Sequence, residues 1–348
     1  MTEVPSSKNL DGRRKFLILW PLFFMICGGL GYPSLRRFDP RLTPGLSDTI
    51  KYYAITTGAD QSVYAQRFRG RVLVPYIARP FYWFALAYIP TWDPAFFGLL
   101  VSASIFCATT TCLTVSIGER VLGNPILGLL GALLYLLNFA VANLQLAGMV
   151  DAAEACFMAA IVWSFLTRTW WLLPLWGLFG AAAKETFVPL ASLFALTWWF
   201  VEWRRNKARL PSLSWVIALA IVGLVVVTGI HWRVSERFQW PWQLAQLVNS
   251  GSNPFGAFWR IISDQNFWYV FGWLLPLGIW RVKDFPTPWV SASVATAILA
   301  LLLGIFADAR GNAGRAIFDV MGPLLSLSAA AFLMRLSESS WKNRQANY

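Results

Sequence analysis

The short run Ser47 to Tyr53 carries the first side chains that could do chemistry. It reads Ser-Asp-Thr-Ile-Lys-Tyr-Tyr, so Asp48 is followed at helical spacing by the aromatic pair Tyr52 and Tyr53. A carboxylate at a membrane surface can act as a general base or hold a metal ion when neighbouring groups set its pKa. The alternative is that Asp48 is only the N-cap of a short helix.

A second group of charges lies further along the chain. Asp151 and Glu154 open an apolar run and are spaced to share one helical face, although acids also favour helix starts electrostatically. Lys184 and Glu185 interrupt the apolar stretch from Trp171 to Val201. A turn there would present the ammonium to a water-filled cavity, and the alternative is an ion pair that only stabilises the turn.

Two arginines and one histidine complete the candidates. Arg310 and Arg315 are separated by glycines, and arginine forks bind phosphate well, although an ordinary polar turn would look the same. His231 is the only histidine and ends an apolar run. Packing at an interface is the alternative to a proton shuttle there.

The composition requires these residues to be positioned by membrane helices. The chain is 57% hydrophobic and 13% charged, against about 25% charged in soluble domains. We predict an all-α, polytopic membrane protein with about ten transmembrane helices. The candidate spans are Phe16 to Tyr32, Phe96 to Ile117, Pro125 to Val141, Ala152 to Thr167, Trp171 to Ala183, Phe187 to Val201, Leu213 to Ile230, Phe267 to Trp280, Trp289 to Phe306 and Ala316 to Met334.

Charge placement sets the predicted topology. If the apolar segment Val72 to Pro90 crossed the bilayer, Arg204 and Arg205 would lie outside, against the positive-inside rule. We therefore predict an interfacial or re-entrant helix on the exoplasmic side, with both termini cytoplasmic and the chain in the cell (inner) membrane. The net charge of +12 then favours anionic lipid headgroups as partners, rather than nucleic acid.

The sequence contains no motif for disulfide, thiolate-metal or nucleotide chemistry. The four cysteines lie in apolar runs, which predicts neither disulfides nor a metal centre built on thiolates. The sequence has no Walker lysine loop, no dinucleotide-binding glycine motif and no cysteine or histidine cluster. We predict no resident metal and no certain cofactor, and leave a divalent cation open.

The order of these features resembles the GT-C class of membrane glycosyltransferases, which use polyprenyl-phosphate-linked sugar donors. The likeness covers roughly the first 200 residues. It comprises an outer loop with an acid-x-x-x-Tyr pattern at Asp48 to Tyr52, an Arg-Pro-Leu-like segment at Arg71 to Tyr76, an outer acid at Asp151, and Lys184-Glu185 between two short spans. It implies a single membrane domain over 1–348, with 1–210 as the GT-C-like part and 211–348 as variable C-terminal helices.

The resemblance also implies roles for individual residues. Asp48 would be the base that activates the acceptor or a group that orients it, and Tyr52 and Tyr53 would stack on the sugar. The donor phosphate would be surrounded by Arg69, Arg71, Lys184, Arg310 and Arg315. From the residues themselves, we also place Asp151, Glu154, Glu185 and His231 in the predicted substrate-binding set. The acceptor stays unidentified.

Two other function classes stay open on the sequence. A lipid or solute transporter should show related halves and helices broken near the middle of the membrane. A non-catalytic subunit of a larger complex would not need the acidic and basic residues to converge. We therefore expect Asp48 within about 15 Å of Lys184 and Arg315 if the transferase prediction is right.

Overall fold

The computed structural model describes residues 7–37, 47–59, 66–205, 212–235, 253–306 and 312–345, and within these ranges every regular element is a helix. Three short 3-10 turns lie at Gln145–Ala147, Trp170–Leu172 and Val282–Asp284. The α-helices in chain order are α1 (Ser7–Arg37), α2 (Ser47–Thr57), α3 (Gln66–Arg69), α4 (Leu73–Tyr88), α5 (Pro94–Leu122), α6 (Pro125–Leu136), α7 (Phe139–Asn143), α8 (Asp151–Thr167), α9 (Leu173–Ala183), α10 (Phe187–Arg205), α11 (Leu213–Ser235), α12 (Pro254–Ile262), α13 (Gln265–Phe271), α14 (Leu274–Ile279), α15 (Thr287–Phe306) and α16 (Asn312–Gln345).

Five helices in the described ranges are long and apolar enough to cross a bilayer. They are the apolar parts of α1, α5, α11, α15 and α16, and the bent pair α6 and α7 makes up to six. The prediction of an all-helical membrane protein is therefore confirmed, while ten spans stay a prediction. Helices α8 and α9 lie where spans were predicted but have only 17 and 11 residues.

The spans differ in how much protein surrounds them. In α5 and α16, 72% of the apolar window is buried, against 17% in α1 and 22% in α11. Helices α5 and α16 therefore form the centre of the bundle with α8, and α1 and α11 present apolar side chains to lipid. Close packing needs glycine at several helix contacts; a Cβ on Gly128 of α6, for example, would lie 2.5 Å from the carbonyl oxygen of Val115 in α5.

Two predicted spans are broken in the structure. The span predicted from Pro125 to Val141 ends at Leu136, because the Asn138 side chain accepts a hydrogen bond from the backbone N–H of Ala140 and starts α7. The resulting pair is bent by 44°. The span predicted from Phe267 to Trp280 is likewise two short helices, α13 and α14, separated at Gly272 and Trp273.

The segment predicted to lie at the membrane surface forms α4, which has 16 residues and is not among the five spans. It packs against α5, where the Ser102 hydroxyl donates to the carbonyl oxygen of Val74 at 3.1 Å. Arg79 donates to the carbonyl oxygen of Ile55 at 2.9 Å and so joins α4 to α2. Its position in the bilayer stays a prediction.

Helix directions define two ends of the bundle. Helices α5, α8, α10 and α16 all start at one end, which we call the acidic end because Asp48 and Asp151 lie there. The 17 residues of α8 span about 26 Å at 1.5 Å per residue, close to the hydrocarbon thickness of a bilayer. Lys15 of α1 contacts Glu119 near the C-terminus of α5, so α1 starts at the opposite end.

Candidate functional site

Helix α2 brings Asp48 to the acidic end. The hydroxyl of Thr49 donates to the carbonyl oxygen of Ala147 at 3.0 Å, which fixes α2 against the turn before α8. One carboxylate oxygen of Asp48 lies 2.9 Å from the Lys51 ammonium, and the other lies 3.7 Å from the guanidinium of Arg315. The Asp48 side chain keeps 18% of its surface exposed, so a ligand could reach it.

Lys184 joins two acids of α8 at the same end. The break between α9 and α10 puts Lys184 in extended backbone, and its ammonium donates to Asp151 at 2.7 Å and also to Glu154. Asp151 accepts a second bond from Arg315 at 3.4 Å, and Glu154 accepts one from Thr186 at 3.1 Å. Burial alone would lower the pKa of Lys184, but the two carboxylates raise it above the ordinary 10.5.

Arg71 forms the third part of the cluster. Its guanidinium donates two parallel hydrogen bonds to Glu185, at 2.9 and 2.5 Å, and a third to the hydroxyl of Tyr52 at 2.9 Å. Phe68 lies beneath both Arg71 and Lys51, whose charged atoms are 5.0 and 3.5 Å from its ring centre.

The electrostatic environment shifts two groups beside Arg71. Burial raises the pKa of Tyr52 to about 12, with Asp151 and Asp48 adding to the effect although Arg71 opposes it. Burial would also raise the pKa of Glu185, but the guanidinium of Arg71 outweighs it, so that this pKa lies below the ordinary 4.5. Tyr52 is thus held as a neutral phenol and Glu185 as a carboxylate.

Lys51 and Asp319 belong to the same group of charged side chains but were not among the predicted site residues. Asp319 of α16 is 1% exposed, and one of its oxygens accepts a hydrogen bond from Gln145 at 2.7 Å. The Gln145 oxygen in turn accepts from the hydroxyl of Tyr135 at 3.3 Å. The signal for Asp319 was present, since an acid within an apolar span is a functional candidate by default.

The acids of this end could also hold a cation. One oxygen each of Asp151, Glu154 and Asp319 lies within 4.8 Å of the others, and all three residues are buried. Carboxylate oxygens are the ligands that Mg²⁺, Ca²⁺ and Mn²⁺ prefer. In this structure the ammonium of Lys184 supplies the positive charge between Asp151 and Glu154, so a metal ion there would compete with it.

The other predicted site residues lie at different places. The hydroxyl of Tyr53 contacts Asp93 at 3.1 Å, and its ring packs on Phe96, away from the cluster. The Nε atom of Arg69 is buried without a hydrogen-bond partner in the described ranges. His231 is buried within electrostatic reach of Glu185 and Arg71. Arg310 lies outside the described residues.

The convergence expected from the sequence is therefore present. Asp48 touches Arg315, Arg315 touches Asp151, and Asp151 touches Lys184, so one chain of contacts joins side chains far apart in the sequence. Five acidic and four basic side chains take part in the cluster. These residues, named the acidic-end cluster below, are Asp48, Lys51, Arg71, Asp151, Glu154, Lys184, Glu185, Arg315 and Asp319.

In such a cluster, a charged ligand can take the place of one member of an ion pair. A phosphate could replace the carboxylates as the partner of Lys184, Arg71 or Arg315, and Asp48 could then accept a proton. Neither the protein-family models nor the curated proteins compared with this sequence match it. The function is therefore argued from the geometry of the acidic-end cluster.

Proposed function

We propose that this chain is a GT-C-like membrane glycosyltransferase that takes a sugar from a polyprenyl-phosphate-linked donor. The observation that carries the proposal is the contact chain from Asp48 through Arg315 and Asp151 to Lys184. Burying ions in a helical bundle is costly unless they are paired, and such groups are concentrated where a membrane protein binds polar ligands. Asp48 contacts Arg315 directly and is joined to Lys184 through Arg315 and Asp151, which supports the proximity that the transferase proposal requires.

The proposed reaction uses the cluster in two roles. Asp48 accepts the proton of the acceptor hydroxyl as its oxygen attacks the anomeric carbon of the donor sugar. The bond between that carbon and the phosphate oxygen breaks, and the electron pair leaves with the polyprenyl phosphate. Lys184, Arg71 and Arg315 exchange their carboxylate partners for the phosphate and stabilise the charge that develops on it.

The proposal includes a placement in the cell membrane. We propose ten spans, with α4 at the exoplasmic surface, the acidic end exoplasmic and both termini cytoplasmic. The support is that α1 starts at the opposite end, where Lys15 contacts Glu119, and that α16 starts at the acidic end with Arg315. The loop after α10 follows Arg204 and Arg205, as expected for a cytoplasmic side.

The proposal is tested by lipid retention and sugar transfer measured on the same variants. Native mass spectrometry with a synthetic polyprenyl phosphate reports binding, and proteoliposomes with polyprenyl-phosphate mannose or arabinose report transfer. Asp48→Asn should keep the lipid and lose turnover by about 100-fold or more, because a general base contributes about 10² to 10⁴. Arg71→Ala should lose the lipid.

Two neighbouring tyrosines provide a matched control. Tyr52→Phe removes the hydroxyl that Arg71 contacts, whereas Tyr53→Phe removes one that contacts Asp93 outside the cluster. We expect lower transfer only with Tyr52→Phe. Lipid loss with Asp48→Asn but not with Arg71→Ala would contradict the assigned roles, and a wild-type chain that binds no polyprenyl phosphate would leave the non-catalytic subunit as the better interpretation.

Transport is the second candidate, because one observation favours it. The pair α6 and α7 is bent by 44°, and the following turn carries Gln145, which contacts the buried Asp319. Broken helices with polar residues inside the membrane are typical of transporters. Movement of a fluorescent polyprenyl phosphate between the leaflets of the same proteoliposomes, without sugar transfer, would support this function instead.

A further inference from the structure

The end of the bundle opposite the acidic end contains an open cleft of about 540 Å³. It lies where α5, α8 and α10 finish and α15 begins, and residues of all four helices line it. Because α8 and α10 have 17 and 19 residues, the cleft is about 26 to 28 Å from the acidic end. That distance is close to the thickness of the hydrocarbon core, so the cleft lies at headgroup level of the other membrane surface.

Three cations from distant parts of the chain line this cleft. They are Arg120 in the last turn of α5, Arg205 at the end of α10 and Lys283 in the turn before α15. All three are exposed, and across the described ranges none of them forms an ion pair or a side-chain hydrogen bond. The one acid of the lining, Asp284, is already paired with Arg281, so it does not neutralise them.

The remaining lining is largely apolar. Val121 and Leu166 come from the ends of α5 and α8, and Phe285 and Pro286 precede α15. A small hydrophilic anion would gain nothing from these walls, whereas an anionic group attached to an apolar body would use both the cations and the walls. Basic pockets between membrane helices bind lipid headgroups in this way.

We propose that this cleft binds the phosphate monoester headgroup of an anionic membrane lipid. The phosphate is neutralised by Arg120, Arg205 and Lys283. The apolar side chains of the lining cover the glycerol and the first carbons of the acyl chains. A monoester fits better than a diester, because a monoester carries close to two negative charges. It therefore leaves less of the positive charge of the three cations uncompensated. The site is separate from the acidic-end cluster and does not depend on the proposed transferase activity.

The test uses the full-length protein in nanodiscs that contain phosphatidic acid at a low fraction in phosphatidylcholine. Native mass spectrometry counts the phosphatidic acid retained by the wild type and by the triple variant Arg120→Gln, Arg205→Gln, Lys283→Gln. We expect the triple variant to bind the lipid about 10- to 100-fold more weakly, given three lost cations at the membrane surface.

A second triple variant is the matched control. Arg14→Gln, Arg168→Gln and Arg204→Gln remove the same charge from exposed residues towards the same end, but none of the three lines the cleft. Arg204 is the neighbour of Arg205 and stacks on Phe200 instead. We expect this control to weaken binding less than about threefold.

Three results would overturn the inference. Equal losses in the two triple variants would mean that surface charge alone attracts the lipid. Retention of phosphatidylcholine as strong as that of phosphatidic acid would remove the monoester preference. Displacement of the lipid by millimolar inorganic phosphate would assign the cations to a soluble anion, whereas binding that survives inorganic phosphate supports a lipid ligand.

Discussion

The two ends of the bundle differ in how deeply their paired charges are buried. At the acidic end, Lys184 is 10% exposed and contacts Asp151 and Glu154, which are 4% and 1% exposed. At the other end, Lys15 and Glu119 form a pair in which both side chains are about 40% exposed. Exposed charge at a membrane surface costs little, whereas buried charge is tolerated only when every ion has a partner. The acidic end is therefore the part of the molecule whose charges need a functional explanation.

The largest expected effect follows from removing Lys184. Lys184→Met leaves Asp151 and Glu154 buried with fewer partners, and we expect a loss of about 3 to 5 kcal/mol in the free energy of unfolding. The corresponding change at the opposite end, Lys15→Met, should cost about 0 to 1 kcal/mol. Thermal unfolding in detergent, followed by circular dichroism, measures both.

A double variant separates charge burial from lost packing. Adding Glu154→Gln to Lys184→Met removes one of the carboxylates that the first change leaves without its ammonium. We expect part of the lost stability to return, because an uncompensated buried charge is costlier than a neutral amide. Equal melting temperatures for the Lys184→Met and Lys15→Met variants would show that the buried pairs contribute no more stability than the exposed pair.

The deepest part of the acidic end gives the next largest effect. Gln145→Leu removes the donor to Asp319 and the acceptor used by Tyr135, so we expect a loss of about 1 to 3 kcal/mol. The change should be coupled to Asp319, because the two side chains share a hydrogen bond. Gln145→Leu combined with Asp319→Leu should cost clearly less than the sum of the single changes, and additive costs would show that the contact contributes nothing.

Local spacing was enough to predict some of this cluster. Asp151 and Glu154 are three residues apart, which places both carboxylates on one helical face and within reach of the same ammonium. The interruption at Lys184 predicted a turn between two short helices, and the structure has this turn between α9 and α10. Hydrophobicity predicted the helical class, because only helices satisfy the backbone along an apolar run.

The sequence was less informative about which way a side chain points from its helix and about where a helix ends. Tyr52 and Tyr53 are adjacent and therefore point about 100° apart on α2, so the Tyr52 hydroxyl contacts Arg71 of the acidic-end cluster, whereas the Tyr53 hydroxyl contacts Asp93. The end of α6 depends on the Asn138 cap, which hydropathy does not register. Asp319 was passed over inside an apolar run, and its contact with Gln145 joins residues 174 positions apart.

The smallest expected effect concerns pH and sharpens the same comparison. Arg71 holds the pKa of Glu185 below its ordinary 4.5 although burial opposes this, so the folded protein favours the carboxylate. The stability that this pair contributes is present above about pH 4.5. It is lost as the pH falls further, because the Glu185 carboxylate binds a proton more readily in the unfolded chain than in the folded protein. The melting temperature of the wild type should therefore fall in this acid range.

Glu185→Gln removes the group responsible and should act differently in the two pH ranges. At neutral pH the variant loses the ion pair with Arg71 and melts at a lower temperature than the wild type. Below about pH 4.5 the wild type loses the same contribution by protonation, so the two melting curves should approach each other. Curves that stay parallel from neutral to acid pH would mean that Arg71 and Glu185 contribute no pH-dependent stability, and the acidic end would then resemble the exposed pair of Lys15 and Glu119 more than its burial implies.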